Sequence, residues 1–168
     1  MDKFYAGIGS RETPEPICRF MAQVADRLAR RGYTLRSGGA DGADSAFERG
    51  VPEGFSKEIY LPWRGFNGNA SPLFDLGEHE GTVRGIAAAY HPAWKRLSSA
   101  EKTLHARNVC QVLGADGRTP SEFVLCFTPD GRGKGGTGQS IRIAQAHRIP
   151  VYDLGAFSQE YVLRKLGI

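Results

Sequence analysis

The chain has 168 residues, 24% of them charged and 40% hydrophobic, which fits one soluble domain with a sizeable core. Its 22 basic and 18 acidic residues leave a net charge of +4. That mild excess suits an anionic ligand but does not by itself indicate nucleic acid.

No apolar run approaches the roughly 20 residues that span a bilayer. The start, Met1-Asp2-Lys3-Phe4-Tyr5, enters a strand at once, so we expect no signal peptide and a cytoplasmic location. Phe4–Ile8 is the first predicted strand. Thr13-Pro14 then opens a helix, with threonine as the expected N-cap and proline at the first helical position. Ile17, Phe20, Met21, Val24 and Leu28 give that helix one apolar face, and Gly32 ends it. Tyr33–Arg36 is a second strand, Asp41–Arg49 a short helix stopped by Gly50, and Lys57–Leu61 a third strand.

Residues 62–98 differ in character. They are rich in Gly, Pro and Asn and carry Trp63, Phe66, Phe74, Tyr90 and Trp94. A long loop in a compact domain is usually functional or partly helical, and Thr82–Tyr90 is a candidate helix within it. Ser98 or Ser99 caps a clearer helix, in which Leu104, Val109, Val112 and Leu113 are candidate core positions. Phe123–Phe127 is the most apolar strand and is expected to be central. A helix over 138–147, a strand over 149–153 and a helix over 158–165 complete the chain. Strands alternating with helices predict an α/β fold, a Rossmann-like three-layer arrangement with a mainly parallel sheet of about five strands. A single domain over 1–168 is expected, with 62–98 as an aromatic-rich insertion or lid.

Cys18, Cys110 and Cys126 form no CxxC pair and are read as buried thiols. His79, His91, His105 and His147 are scattered without metal-ligand spacing. We expect no metal and no cofactor.

Three glycine-rich segments stand at matching places. They are Gly7-Ile8-Gly9-Ser10-Arg11, Ser37-Gly38-Gly39-Ala40-Asp41-Gly42-Ala43-Asp44, and Gly133-Lys134-Gly135-Gly136-Thr137-Gly138-Gln139-Ser140. Each follows a predicted strand and precedes a predicted helix. Glycine there lets bare backbone approach a ligand, and the helix start offers N–H groups and partial positive charge. In a parallel sheet all three turns fall on one edge, where such folds bind ligands. A shared pocket for a phosphorylated ligand is expected.

Gly9-Ser10-Arg11, Ser37–Asp44 and Gly135-Gly136-Thr137-Gly138 resemble the SLOG superfamily. That group joins the DprA/Smf DNA-processing proteins, the Lonely Guy (LOG) phosphoribohydrolases and stand-alone YpsA-like proteins of bacteria and phages. The segment Ser37–Asp44 resembles the DprA pattern Ser-Gly-x-Ala-x-Gly-x-Asp, which implies binding of single-stranded DNA. Arg107-Asn108 lies where LOG enzymes carry an Arg-Lys pair, and Gly135–Gly138 lies where they carry their glycine signature. The glutamates of that signature are replaced by Ile141 and Arg142. Ala40–Asp44 with Arg107-Asn108 is most similar to the YpsA-like branch, which implies a nucleotide or nucleotide-derived signal as ligand and a homodimer or higher homo-oligomer.

The residues expected to bind phosphate or the rest of the ligand are therefore Gly9, Ser10, Arg11, Ser37, Gly38, Gly39, Ala40, Asp41, Asp44, Arg107, Asn108, Gly135, Gly136, Thr137, Gly138 and Gln139. Lys134 or Arg132 would add charge, and Thr137 and Ser140 hydroxyl donors. The lid candidates are Trp63, Arg64, Tyr90 and Trp94. Were the protein an N-glycosidase, Asp44 or Glu122 would supply the carboxylate that such cleavage needs, and Arg107 would be a further catalytic candidate. His91 is a further acid–base candidate.

Overall fold

Side chains alternate across a strand, so a strand buried on both faces feeds two cores. The computed structural model describes residues 1–168 and shows this alternation. Five strands, β1 (Lys3–Gly7), β2 (Tyr33–Ser37), β3 (Lys57–Ile59), β4 (Val124–Cys126) and β5 (Val151–Asp153), form one sheet in the order β3-β2-β1-β4-β5. Every pairing is parallel. The helices are α1 (Glu15–Arg30), α2 (Ala43–Gly50), α3 (Glu80–Tyr90), α4 (Ser99–Leu113), α5 (Gly136–Ala146) and α6 (Gln159–Leu166).

Tyr5, Leu35 and Leu125 pack with Phe20, Met21, Val24, Phe47 and Val162, so α1, α2 and α6 cover one face. Ala6, Ile8, Val124 and Cys126 pack with Val83, Ala87, Val109, Val112 and Ile143, so α3, α4 and α5 cover the other. The result is a three-layer α/β fold of Rossmann-like type. No helix is long and apolar enough to cross a membrane.

Four local expectations are corrected. Pro14, not Thr13, is the N-cap of α1; the Thr13 hydroxyl instead donates to the Ser10 carbonyl at 2.6 Å, bracing the first glycine turn. The second helix starts at Ala43 rather than Asp41, because Gly42 takes φ 78°, a backbone that only glycine adopts cheaply. That helix also includes Gly50. The middle strand is β1, and the more apolar β4 sits between β1 and β5. Burial on both faces is common to every interior strand, so apolarity alone does not select the middle one.

The three cysteines are buried and unpaired. Helix α4 begins with a reciprocal cap. Ser98 Oγ accepts from the Glu101 N–H at 3.2 Å, and the Glu101 carboxylate accepts from the Ser98 N–H at 2.7 Å. Of its expected core positions, Val109, Val112 and Leu113 are buried. Leu104 instead lines a cavity.

Candidate functional site

The strand order reverses between β1 and β4. At such a switch point the following loops diverge and leave a crevice beyond the strand ends. Here the crevice is a cavity of about 300 Å³. Gly9, Ser10 and Arg11 from the turn after β1, Ala40 and Asp44 from the turn into α2, and Lys134, Gly135, Gly136 and Thr137 from the turn into α5 all line it. Arg107 and Asn108 of α4 close one side. The three glycine segments thus meet, as their placement after parallel strands requires.

Each turn is held from behind. The Ser10 N–H donates to the Phe127 carbonyl at 3.0 Å, tying the first turn to the chain leaving β4. Asp153, at the end of β5, accepts from the Thr128 N–H at 2.9 Å and from the Thr128 hydroxyl. The same Thr128 oxygen accepts the Gly133 N–H at 3.0 Å. Asn108 Nδ2 donates to the Gly136 carbonyl at 3.4 Å, linking α4 to the start of α5. The third turn is therefore pinned on both flanks while its tip borders the cavity.

Arg107 is 8% exposed. Its Nη1 donates to the Gly38 carbonyl, and its Nε is buried with no partner. The Ser140 hydroxyl and Nδ1 of His105 are buried and unpartnered as well, and both residues line the same cavity. Three such groups in one place is unusual, since each costs about 1–3 kcal/mol when left without a partner. They are donors or acceptors suited to a polar ligand.

Asp44 is the single carboxylate on the cavity wall. Burial pushes its pKa up to about 6, while the charge of Arg107 and the N–H groups of Ala40, Gly9 and Gly38 pull it down. The Arg107 guanidinium is itself disfavoured by burial and supported by Asp44. His105 is held down to about 4, by burial first and then by the neighbouring His91, whose ring lies 4.4 Å away. His105 is consequently neutral at pH 7. With Arg11, Arg107 and Lys134 against Asp44, the cavity wall is net cationic.

Several expected residues stand behind the cavity rather than in it. The Ser37 hydroxyl donates to the Gly7 carbonyl at 2.6 Å, joining β2 to β1. Gly38 holds Arg107 through its carbonyl, and a Cβ there would collide with the Arg107 guanidinium and Gln111. Gly39, at φ 70°, packs on Leu61. Asp41 accepts from Asn67 Nδ2 at 2.9 Å on the surface. Gly138 packs against the Gly133 carbonyl. Gln139 faces α3, where its Nε2 donates to the Ala87 carbonyl at 3.0 Å.

Glu122 is outside the site. It precedes β4, at the opposite end of that strand from the glycine turn, and accepts from the Tyr33 hydroxyl at 3.0 Å. The four aromatic and basic lid candidates also separate. Trp63 and Arg64 border a second cavity, Trp94 lies on a third beside His91, and Tyr90 packs on His147 at 6.2 Å. His91 is outside the glycine cavity and touches it only through His105.

His105 and Gln111 line the cavity without having been singled out as ligand contacts. The available signal was helical spacing: on α4, His105 lies three residues before Asn108 and Gln111 four residues after Arg107, so each neighbours an expected contact on the helix surface.

No protein-family model matches the chain, and no curated protein matches it either. The fold does have a solved counterpart. DNA processing protein A from Helicobacter pylori, described for its single-stranded DNA binding mode, superposes with a TM-score of 0.58. The alignment covers 98% of this chain and 73% of that one at 22% identity. At that identity the likeness establishes a shared fold.

Proposed function

We propose that the protein binds a nucleotide or nucleotide-derived molecule, a nucleoside phosphate or ADP-ribose-like signal, with its phosphate in the glycine-lined cavity. The observation that carries this reading is Arg107. It is a nearly buried cation with an unpartnered Nε, on the wall of a cavity edged by three glycine turns. Backbone N–H groups at the start of α5 would receive the phosphate oxygens, with Arg11 and Lys134 adding charge. Asp44, beside them, would accept from sugar hydroxyls. The fold likeness to DNA processing protein A supports placing the chain in the SLOG superfamily, and one domain with 62–98 as an insertion or lid is part of the same proposal. A sensing or sequestering role in the cytoplasm and a homodimer or higher homo-oligomer belong to the same proposal. Light scattering that reports a monomer would remove the last part.

Two other readings have an observation each. The buried carboxyl of Asp44, poised at about 6, is suited to proton transfer near neutral pH. That favours an N-glycosidase that cleaves a nucleoside 5′-monophosphate. The positions that would carry LOG-type glutamates do not help, since Ile141 is buried and Arg142 bonds to the Tyr90 carbonyl. Single-stranded DNA binding draws on the fold likeness and on the DprA-like pattern of Ser37–Asp44.

Mass spectrometry of the protein after incubation with a mixed nucleotide panel separates these readings. An intact nucleotide retained by the wild type and lost in Arg107→Ala is the expected result. Free base with ribose phosphate would make the protein an enzyme. Retention unchanged in a folded Arg107→Ala would refute the placement of the ligand.

A further inference from the structure

We propose that the cavity on the far side of Arg107 is a second subsite, which takes the planar heterocyclic base of the ligand; this rests on the phosphate reading above. Arg107 lines both cavities. The guanidinium is thus a shared wall, and a ligand reaching from one cavity to the other would pass along it.

The two cavities are alike in size, about 300 Å³ each, and unlike in chemistry. Three of the sixteen residues around the glycine cavity are hydrophobic, against eight of fifteen around the second. A phosphate belongs in the first, where N–H groups and cations surround it. An apolar ring belongs in the second, where Leu61, Leu76 and Ala106 give an aliphatic surface. Its polar groups, Arg64, Asp75, Glu80, Arg84 and Thr103 besides Arg107, are of the kind that fix the orientation of a small organic molecule in a partly apolar pocket.

Trp63 gives the second cavity its aromatic rim. Its indole stays 44% exposed although its edge meets the Phe66 ring at 5.5 Å and 86°. Phe66 in turn lies 5.5 Å from the Arg107 guanidinium, so indole, phenyl ring and cation form a continuous path between the cavities. Arg64, laid on Phe74 at 4.7 Å, extends the same rim. An exposed indole beside an apolar recess is a stacking surface for a base.

The protein has two tryptophans, and the other, Trp94, lies on a different cavity. A Trp94→Phe variant therefore leaves Trp63 as the sole indole reporter. It would be titrated with each of the four ribonucleoside 5′-monophosphates and, separately, with ribose 5-phosphate, while calorimetry measures binding. We expect at least one nucleotide to shift or quench the Trp63 emission and ribose 5-phosphate to bind without doing so. Trp63→Ala, at an exposed position, should weaken that nucleotide about tenfold and leave ribose 5-phosphate unchanged. Nucleotide binding with unmoved Trp63 emission and unaltered affinity in Trp63→Ala would overturn the second subsite and leave the phosphate reading standing. No binding of any of the five compounds, nor of ADP-ribose titrated in the same way, would overturn both.

Discussion

At the scale of single residues, Asp44 and Arg107 set the character of the site. Both are buried, and each is disfavoured in its charged form by that burial. For Asp44 the folded-state pKa of about 6 lies above the ordinary carboxylate value of 3.8. The folded protein thus binds the proton more tightly than the unfolded chain between those values. Below pH 3.8 both states are protonated and Asp44 costs nothing. As pH rises from about 3.8 to about 6 the folded state loses ground, and the loss levels off above that at on the order of 3 kcal/mol. Thermal melts of wild type and Asp44→Asn should show the wild type falling relative to the variant between pH 4 and pH 7. A gap that stays flat across that window would remove the burial argument. A bound phosphate near Arg107 adds a second anion to the site, so Asp44 is expected to hold its proton more tightly in the complex.

The element that matters most is the turn from β4 into α5. Its glycines have different jobs although the sequence writes them alike. A Cβ on Gly136 meets no atom within 4 Å, and Gly136 borders the cavity. A Cβ on Gly138 would collide with the Gly133 carbonyl inside the turn itself. Gly136→Ala should therefore keep the melting temperature of the wild type and weaken nucleotide binding, by narrowing the approach to the helix start. Gly138→Ala should instead destabilise the fold by about 1–3 kcal/mol, the usual cost of overpacking. Denaturation and calorimetry on the two variants check this; equal loss of stability would show that both glycines serve the backbone alone. The segment Ser37–Asp44 divides in the same way. Ser37, Gly38 and Gly39 brace β1, Arg107 and Leu61, while Ala40 and Asp44 reach the cavity.

For the whole molecule, the charge balance bears on the choice between a nucleotide and a strand of DNA. The net charge is +4, and the glycine cavity gathers three cations, Arg11, Arg107 and Lys134. Neutralising two or three phosphates of a single strand gives a salt slope of about −1.4 to −2, since each contributes roughly −0.7. We expect any oligonucleotide bound through this site to show a slope no steeper than about −2 in a fluorescence-anisotropy titration. A slope beyond about −4 would require an extended basic track outside the cavity and would favour DNA as the main ligand.

The sequence by itself determined the alternation of strands and helices, the parallel sheet and the meeting of three glycine turns on one edge. These follow from short-range causes: apolar spacing, helix stops, and the rule that parallel strands send their following loops to the same side. It also marked Arg107 and Asn108, through their resemblance to a residue pair of a known superfamily. Only the tertiary structure decided which residues face the cavity. Gln139 and Ser140 are neighbours in the chain, yet one side chain turns to Ala87 and the other residue lines the cavity, because adjacent helical positions point about 100° apart. The strand order, and with it the separation of Trp63 from Tyr90 and Trp94, was beyond the sequence for a related reason. Local patterning states that a residue is buried or aromatic, whereas its partner is chosen by contacts far along the chain, which no local period records.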